Sequence, residues 1–311
     1  MSAIAHVAAP LFAIIAAGAL AGRAGLMGEA AGAALNRFVF LFAMPAAVFR
    51  FAATNAPPGP EAASIGLAYL IAISAVLGGS FFFAKAVFKL TVREAGAHAF
   101  ASSLANAVFL GLPIALSIEG WGASYLVLML IEGTLVLTAG AALMTWPEDG
   151  GPAKLSAQVG GTLLRVARNP VVAGTLLGFA WSLAGLPLAG PPERFLHYLG
   201  GAAGPAALFS LGLVLAAPRA APEPGQTRAI ASIVLGKIAL LPALTLGLAW
   251  AFGAGPRDLG VAALFTSLPT GVNAYVQAAH YGVYVRRTAA ALTATTALSL
   301  GTVSAALFVF G

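Results

Sequence analysis

"TSLPTGVNAYVQAAHYG", residues 266–282, is the stretch whose reading decides the fold. Its surroundings are those of a membrane-spanning segment, yet Pro269, Gly271, Asn273 and Gln277 crowd its centre. Proline withdraws a backbone donor and collides with the preceding turn, while glycine lets a chain leave helical geometry. In hydrocarbon an interrupted backbone persists only where protein buries it or where it lines a wet cavity. The stretch therefore predicts a helix broken at membrane depth, with Thr270, Asn273 and Gln277 as polar groups beside the break.

The rest of the chain supports a bilayer setting. Of 311 residues, 60% are hydrophobic and 8% charged, and the mean hydropathy is +0.93. Soluble domains carry about 25% charged residues. The net charge of +6 is scattered along loops and gives no nucleic-acid-binding patch. With no cysteine there is no disulfide framework or thiolate metal site, and neither a metal nor another cofactor is expected. The opening "MSAIAHVAAPLFAIIAAGALAGRAG" lacks a positively charged leader region and is long enough to be the first transmembrane helix.

Apolar stretches at about 3–22, 35–53, 62–84, 96–116, 122–145, 159–186, 195–216, 229–252, 259–280 and 288–310 predict ten spans. The odd loops hold Arg23, Arg37, Lys85, Lys89, Arg93, Lys154, Arg165, Arg168, Arg219, Arg228, Arg286 and Arg287, whereas the even loops hold only Arg50, Arg194 and Arg257. By the positive-inside rule the odd loops face the cytoplasm and both termini lie outside.

The chain also repeats itself. Shifted by 160, Pro10 meets Pro170, Gly18 meets Gly178, Gly25 meets Gly185, and "PAAVF" at 45–49 meets "PAALF" at 205–209. Shifted by 164, Arg93, Gly96, Ala99, Ser103 and Leu104 meet Arg257, Gly260, Ala263, Ser267 and Leu268. Five spans per half make the second copy enter the membrane from the opposite side. This is the inverted-repeat plan of many secondary transporters. The expected fold is thus an all-α membrane protein: one transport domain over 1–311, with repeats of about 1–146 and 157–311.

Under the second shift the opening stretch has a partner, "SSLANAVFLGLPIALSIEG" at 102–120, with Asn106, Gly111 and Pro113 mid-span. Matched breaks in spans four and nine point to a substrate site at the midplane. Half-helix amino ends there favour an anion such as a carboxylate. Asn106, Asn273, Thr270, Gln277, Ser103 and Ser267 are the candidate ligands, and Gly111, Pro113, Pro269 and Gly271 the crossover hinges. A pair of proline kinks with bridging amides is the plainer alternative.

Two charges fall inside spans: Glu132, about eleven residues into the fifth, and Lys237, about nine into the eighth. Both reach roughly the midplane at ~1.5 Å per residue, where an unpaired charge costs at least ~2.5 kcal/mol. Two readings stand. Either they pair across the repeat interface, with Glu132 taking a proton or coupling cation, or their role is static, as a fixed pair or as a Lys237 contact to broken-helix carbonyls. His98 and His280 read as interfacial, Glu148–Asp149 as a solvated turn, and Asn169-Pro170 as a helix start.

"LANAVFLGLPI" (104–114) resembles the fourth-span signature of the auxin efflux carrier family, and "LPTGVNAYVQAAHYGV" (268–283) its ninth. "RNPVVAGTLLG", "PAALFSLGLVLA" and "LGKIALLP" resemble its sixth, seventh and eighth, so the likeness covers essentially the whole chain. One departure is Ala105, where the family often has proline, which implies a softer first bend. The resemblance implies an elevator-type permease of the cytoplasmic membrane with two crossing broken helices. It further implies a scaffold and homodimer interface from spans 1, 2, 6 and 7, and a moving unit from spans 3–5 and 8–10. Family members carry indole-acetate in plants and are linked to malate or malonate in bacteria, so the implied substrate is a small organic anion, with H⁺ or Na⁺ coupling open.

An intramembrane aspartyl enzyme is excluded, because the two aspartates, Asp149 and Asp258, lie in loops. The H-E-x-x-H and phosphate-loop motifs are also missing. The nearest rival is a sodium-coupled organic-anion symporter of the bile-acid type, which should cluster acidic ligands beside the crossover; here the crossovers carry amides.

Overall fold

The computed structural model describes residues 2–59, 62–146, 169–216 and 226–311. Lys154, Arg165, Arg168, Arg219, the Glu148–Asp149 turn and the start of the expected sixth span lie outside them. The described chain is helical, without β-strands. In order it runs α1 (Ser2–Arg23), α2 (Glu29–Phe38), a π-helical turn (Val39–Ala43) and α3 (Met44–Thr54). After these come α4 (Ala62–Phe88), α5 (Val92–Ser103), a second π-turn (Ala107–Gly111), α6 (Leu112–Ser117) and α7 (Gly122–Met144). The later part holds α8 (Pro170–Leu183), α9 (Pro191–Gly201), α10 (Ala203–Ala216), α11 (Thr227–Leu235) and a third π-turn (Gly236–Leu240). It ends with α12 (Leu241–Ala251), α13 (Pro256–Ser267), α14 (Val272–Tyr281) and α15 (Val285–Phe310).

Among the described residues, six rods of 23–27 residues are long and apolar enough to cross a membrane: Ala30–Thr54, Ala62–Phe88, Gly122–Met144, Pro191–Ala216, Thr227–Ala251 and Val285–Phe310. Shorter apolar helices cover Phe12–Arg23, Ala107–Ser117 and Pro170–Leu183. Large apolar side chains face outward, among them Phe82, Leu177 and Trp250, as a lipid solvent permits.

Each π-turn has a local cause. All three end two residues before a proline: Pro45, Pro113 and Pro242. A proline inside a helix offers no N–H and pushes away the carbonyl four residues earlier. Widening the preceding turn by one residue absorbs both defects.

The helices pack in two groups. In one, α1 lies along α10, α3 along α8, and α9 and α10 close on α3 and α2. In the other, α4 packs on α5, α7 and α12, α5 on α7, α13 on α12 and α15, and α14 on α15. Small residues make the first group tight, as in lipid, where close backbone approach replaces the hydrophobic drive. A Cβ on Gly18 would fall 2.1 Å from the Phe209 carbonyl oxygen, and one on Gly178 would fall 2.6 Å from that of Phe49. An offset of 160 converts one contact into the other.

Candidate functional site

The site grows from two helices that stop in mid-molecule. α5 is started by a capping box: the Thr91 hydroxyl accepts from Glu94 N, and the Glu94 carboxylate accepts from Thr91 N. It ends at Ser103, and Leu104 turns extended with ψ 124°. α13 starts on Pro256 with Asp258 in its first turn and ends at Ser267, where Leu268 is likewise extended with ψ 149°. The two extended segments meet as a short antiparallel bridge between Ala105 and Thr270. Asn106 N donates to Pro269 O, and Gly271 N to Leu104 O, both at 2.9 Å. Under an offset of 165 these two bonds exchange places. Gly271 permits the approach, since a Cβ there would stand 2.6 Å from the Ala105 carbonyl oxygen.

The bridge leaves the amide of its central residue on each strand without a backbone partner. Ala105 N donates to Glu132 Oε1 at 2.7 Å. Thr270 N donates to Thr295 Oγ1 at 3.1 Å. Glu132 on α7 and Thr295 on α15 are themselves 163 residues apart, close to the offset of 165 between the two amides they anchor. Tyr69 on α4 adds a second bond to Glu132 Oε1, at 3.0 Å.

Carbonyls at the ends of α5 and α13 are also satisfied. The Thr270 hydroxyl donates to Ala101 O at 2.9 Å, Lys237 Nζ to Thr266 O at 3.2 Å and the Thr302 hydroxyl to Ser267 O at 2.8 Å. A cation at a helix carboxyl end suits the dipole there. Of the arrangements left open for Lys237, the structure contains the carbonyl contact; Glu132 and Lys237 bond different partners.

Beside the bridge lies a cavity of about 50 Å³. Asn106, Gly271, Asn273, the first residues of the π-turn and of α14, and Glu132 form its polar wall, facing Phe40 and Asn169 from the other helix group. The first N–H groups of a helix have no intrahelical acceptor, so both helix starts offer donors to this space. Asn106 is 2% exposed, and its Nδ2 is buried without a hydrogen-bond partner. Among the described residues of the wall, Glu132 is the one that ionises.

The six candidate ligands separate. Asn106 and Asn273 share the cavity. Thr270 is committed to the bridge. Ser103, Ser267 and Gln277 lie off the cavity wall, and Ser103 Oγ and Gln277 Oε1 are buried without partners. Of the hinge residues, Gly111 and Pro113 frame the start of α6, where a Cβ on Gly111 would overlap the Tyr125 hydroxyl that donates to Ala107 O at 2.8 Å. Pro269 supplies a bridge carbonyl.

Three residues carry more than their sequence setting suggests. Asn169 caps α8 by accepting from Val171 N and Val172 N and also faces the cavity. Thr295 and Tyr69 anchor the crossover. His98, expected at the interface, is instead 1% exposed. Its Nδ1 lies 3.2 Å from Tyr284 Oη and its Nε2 3.3 Å from Ser232 Oγ, because α5 is enclosed by α4, α7 and α11.

A family described as membrane transport protein matches residues 3–307. A Rhizobium meliloti (strain 1021) protein named "Putative malonate transporter" is 30% identical, covering 99% of this chain and 96% of its own. The "Uncharacterized transporter YfdV" of Escherichia coli (strain K12) is 25% identical, over 91% of this chain and 90% of its own. A Shigella flexneri protein of the same name matches to the same extent.

Proposed function

We propose, from the premise that this chain belongs to the membrane transport protein family, the auxin efflux carrier family its motifs resemble, that it is a secondary carrier of a small organic anion. The family and its relatives are membrane transporters, not enzymes. The cargo is a carboxylate, moved across the cytoplasmic membrane by elevator-type alternating access. The observation that carries this reading is the bonded crossing of two interrupted helices beside one cavity. There two helix starts and the amides of Asn106 and Asn273 converge.

The cavity volume favours a short acid. About 50 Å³ is room for a handful of waters at ~10–15 Å³ each, which suits a three- or four-carbon diacid better than an indole acid. The name of the Rhizobium relative makes malonate the first probe.

Counting the interrupted helices as spans gives ten, and the exchangeable contacts at offsets of 160 and 165 support a 5+5 inverted repeat. The first packing group, α1–α3 with α8–α10, then serves as scaffold. Its exposed Leu20, Leu177 and Tyr198 suit a homodimer face. The second group is the moving unit.

Purified protein in liposomes, loaded with labelled malonate, malate or indole-acetate and given H⁺ or Na⁺ gradients, tests this. Short diacids should exchange across the membrane, and indole-acetate should not compete. If no carboxylate moves under any gradient, the anion reading fails.

A further inference from the structure

Glu132 performs in one half of the molecule a task that an uncharged hydroxyl performs in the other. Both Glu132 and Thr295 accept a crossover amide. Anchoring therefore needs an oxygen, not a charge, and the ionisable group at 132 is surplus to it. Its own geometry says what remains. Oε1 takes both hydrogen bonds, from Ala105 N and from the Tyr69 hydroxyl. Oε2 has no bond to the described residues, and Glu132, 3% exposed overall, stands on the cavity wall.

The charges around it matter equally. Lys237, from the third π-turn, and Tyr69 and Tyr125, from α4 and α7, act on Glu132 electrostatically. Of the charged and imidazole groups on the neighbouring α5, α13 and α14, Glu94 accepts from Thr91 N, Arg93 donates to Met144 O, His98 lies by Tyr284 and Ser232, Arg257 lies beside Gly120, Asp258 accepts from Ser124, and His280 stands against Tyr281 at the surface. Lys237 and an ionised Glu132 balance one another. A carboxylate entering this cavity would then face a like charge with no cation among the described residues of the wall. A proton on the side chain removes the repulsion and turns it into a hydrogen bond.

We propose that Glu132 carries a proton across the membrane together with the anion, holding it on Oε2, where the substrate carboxylate accepts it as a hydrogen bond. This rests on the anion-carrier reading. The proton comes from water on the side where the cavity is open and forms the Oε2–H bond. It returns to water on the other side, leaving the carboxylate as it began. One proton moves with each anion, inward or outward. Thr295, at the matching position, has no such state, so of the two anchors only Glu132 carries a proton.

The test uses full-length protein in liposomes with a trapped pH dye and labelled malonate. Wild type should acidify the lumen by about one proton per malonate taken up, above protein-free liposomes. Glu132→Gln keeps an acceptor for Ala105 N and a donor toward the cavity. Whatever its rate, it should move malonate with the proton count cut by roughly tenfold or more, and its exchange should lose pH dependence. Thr295→Val, which removes the uncharged anchor, should leave the proton count at the wild-type value. Wild-type uptake without acidification, or a glutamine variant still driven by a pH gradient, overturns the proposal. If Glu132→Gln does not fold, the wild-type proton count decides alone. Exchange without protons sinks only this inference; no exchange of any carboxylate sinks the carrier reading and this one with it.

Discussion

An amide nitrogen buried without an acceptor costs about 1–3 kcal/mol, and Asn106 Nδ2 is such a group on the cavity wall. In the proposed carrier an anion supplies the missing acceptor. Asn106→Ala combined with Asn273→Ala should therefore weaken malonate binding by about 10–100-fold, the range for hydrogen bonds to a charged partner. Loss of the ligand-induced thermal shift is the readout, and unchanged affinity would remove both amides from the site. Thr295→Val strands the buried Thr270 N–H. It should lower stability by about 1–3 kcal/mol, visible as a reduced Tm in detergent; an unaltered Tm would mean that the amide finds another acceptor. These residues differ in how they read from sequence. Asn106 and Asn273 stand out because an amide inside an apolar run demands a reason. Thr270 looks like a third ligand, yet its hydroxyl closes α5 by bonding Ala101 O. Thr295 and Tyr69 give no local signal, since a threonine or tyrosine in an apolar helix is ordinary until the facing backbone is known.

Breaks between helices are written more plainly than their hydrogen bonds. The Leu-Pro-Thr-Gly run marks the interruption at Leu268, but in the fourth span the chain leaves helical geometry at Leu104, upstream of Gly111 and Leu112, whose backbone is helical. The π-turns before Pro45, Pro113 and Pro242 were not legible: proline predicts a disturbed turn, but whether the helix kinks, stops or widens depends on what packs against it. Missing a proline at position 105 leaves Ala105 with an N–H, and that N–H is the group Glu132 holds. Helix packing offers its own test. Valine at Gly178 would press into the Phe49 carbonyl, and valine at Gly18 into that of Phe209. Each should cost about 1–3 kcal/mol through overpacking, seen as a lower Tm in detergent. The two losses should be alike, because the contacts are copies of each other. A tolerated valine at either place would show that the helices part without cost.

At the scale of the molecule, the apolar runs made the all-helical membrane character legible, because a bilayer excludes exposed backbone; charge distribution and internal offsets gave an expected orientation and repeat. They left open which helices form the scaffold, which depends on contacts between residues more than a hundred positions apart. Orientation is directly testable, since the chain has no native cysteine. Lys89→Cys should be shielded from an impermeant thiol reagent in intact cells and labelled after lysis, while Arg194→Cys should be labelled from outside; the reverse pattern would invert the topology. The bridge at the crossover has a further bearing, on biosynthesis. Leu104 O and Asn106 N are completed by Gly271 and Pro269, which leave the ribosome some 165 residues later. At ~5–20 residues per second that delay is roughly 10–30 s. During it the first interrupted span would sit in lipid with raw backbone ends, a state hydrocarbon penalises by several kcal/mol per group. The nascent first half should therefore linger in the insertion machinery until its later-made counterpart arrives to complete it.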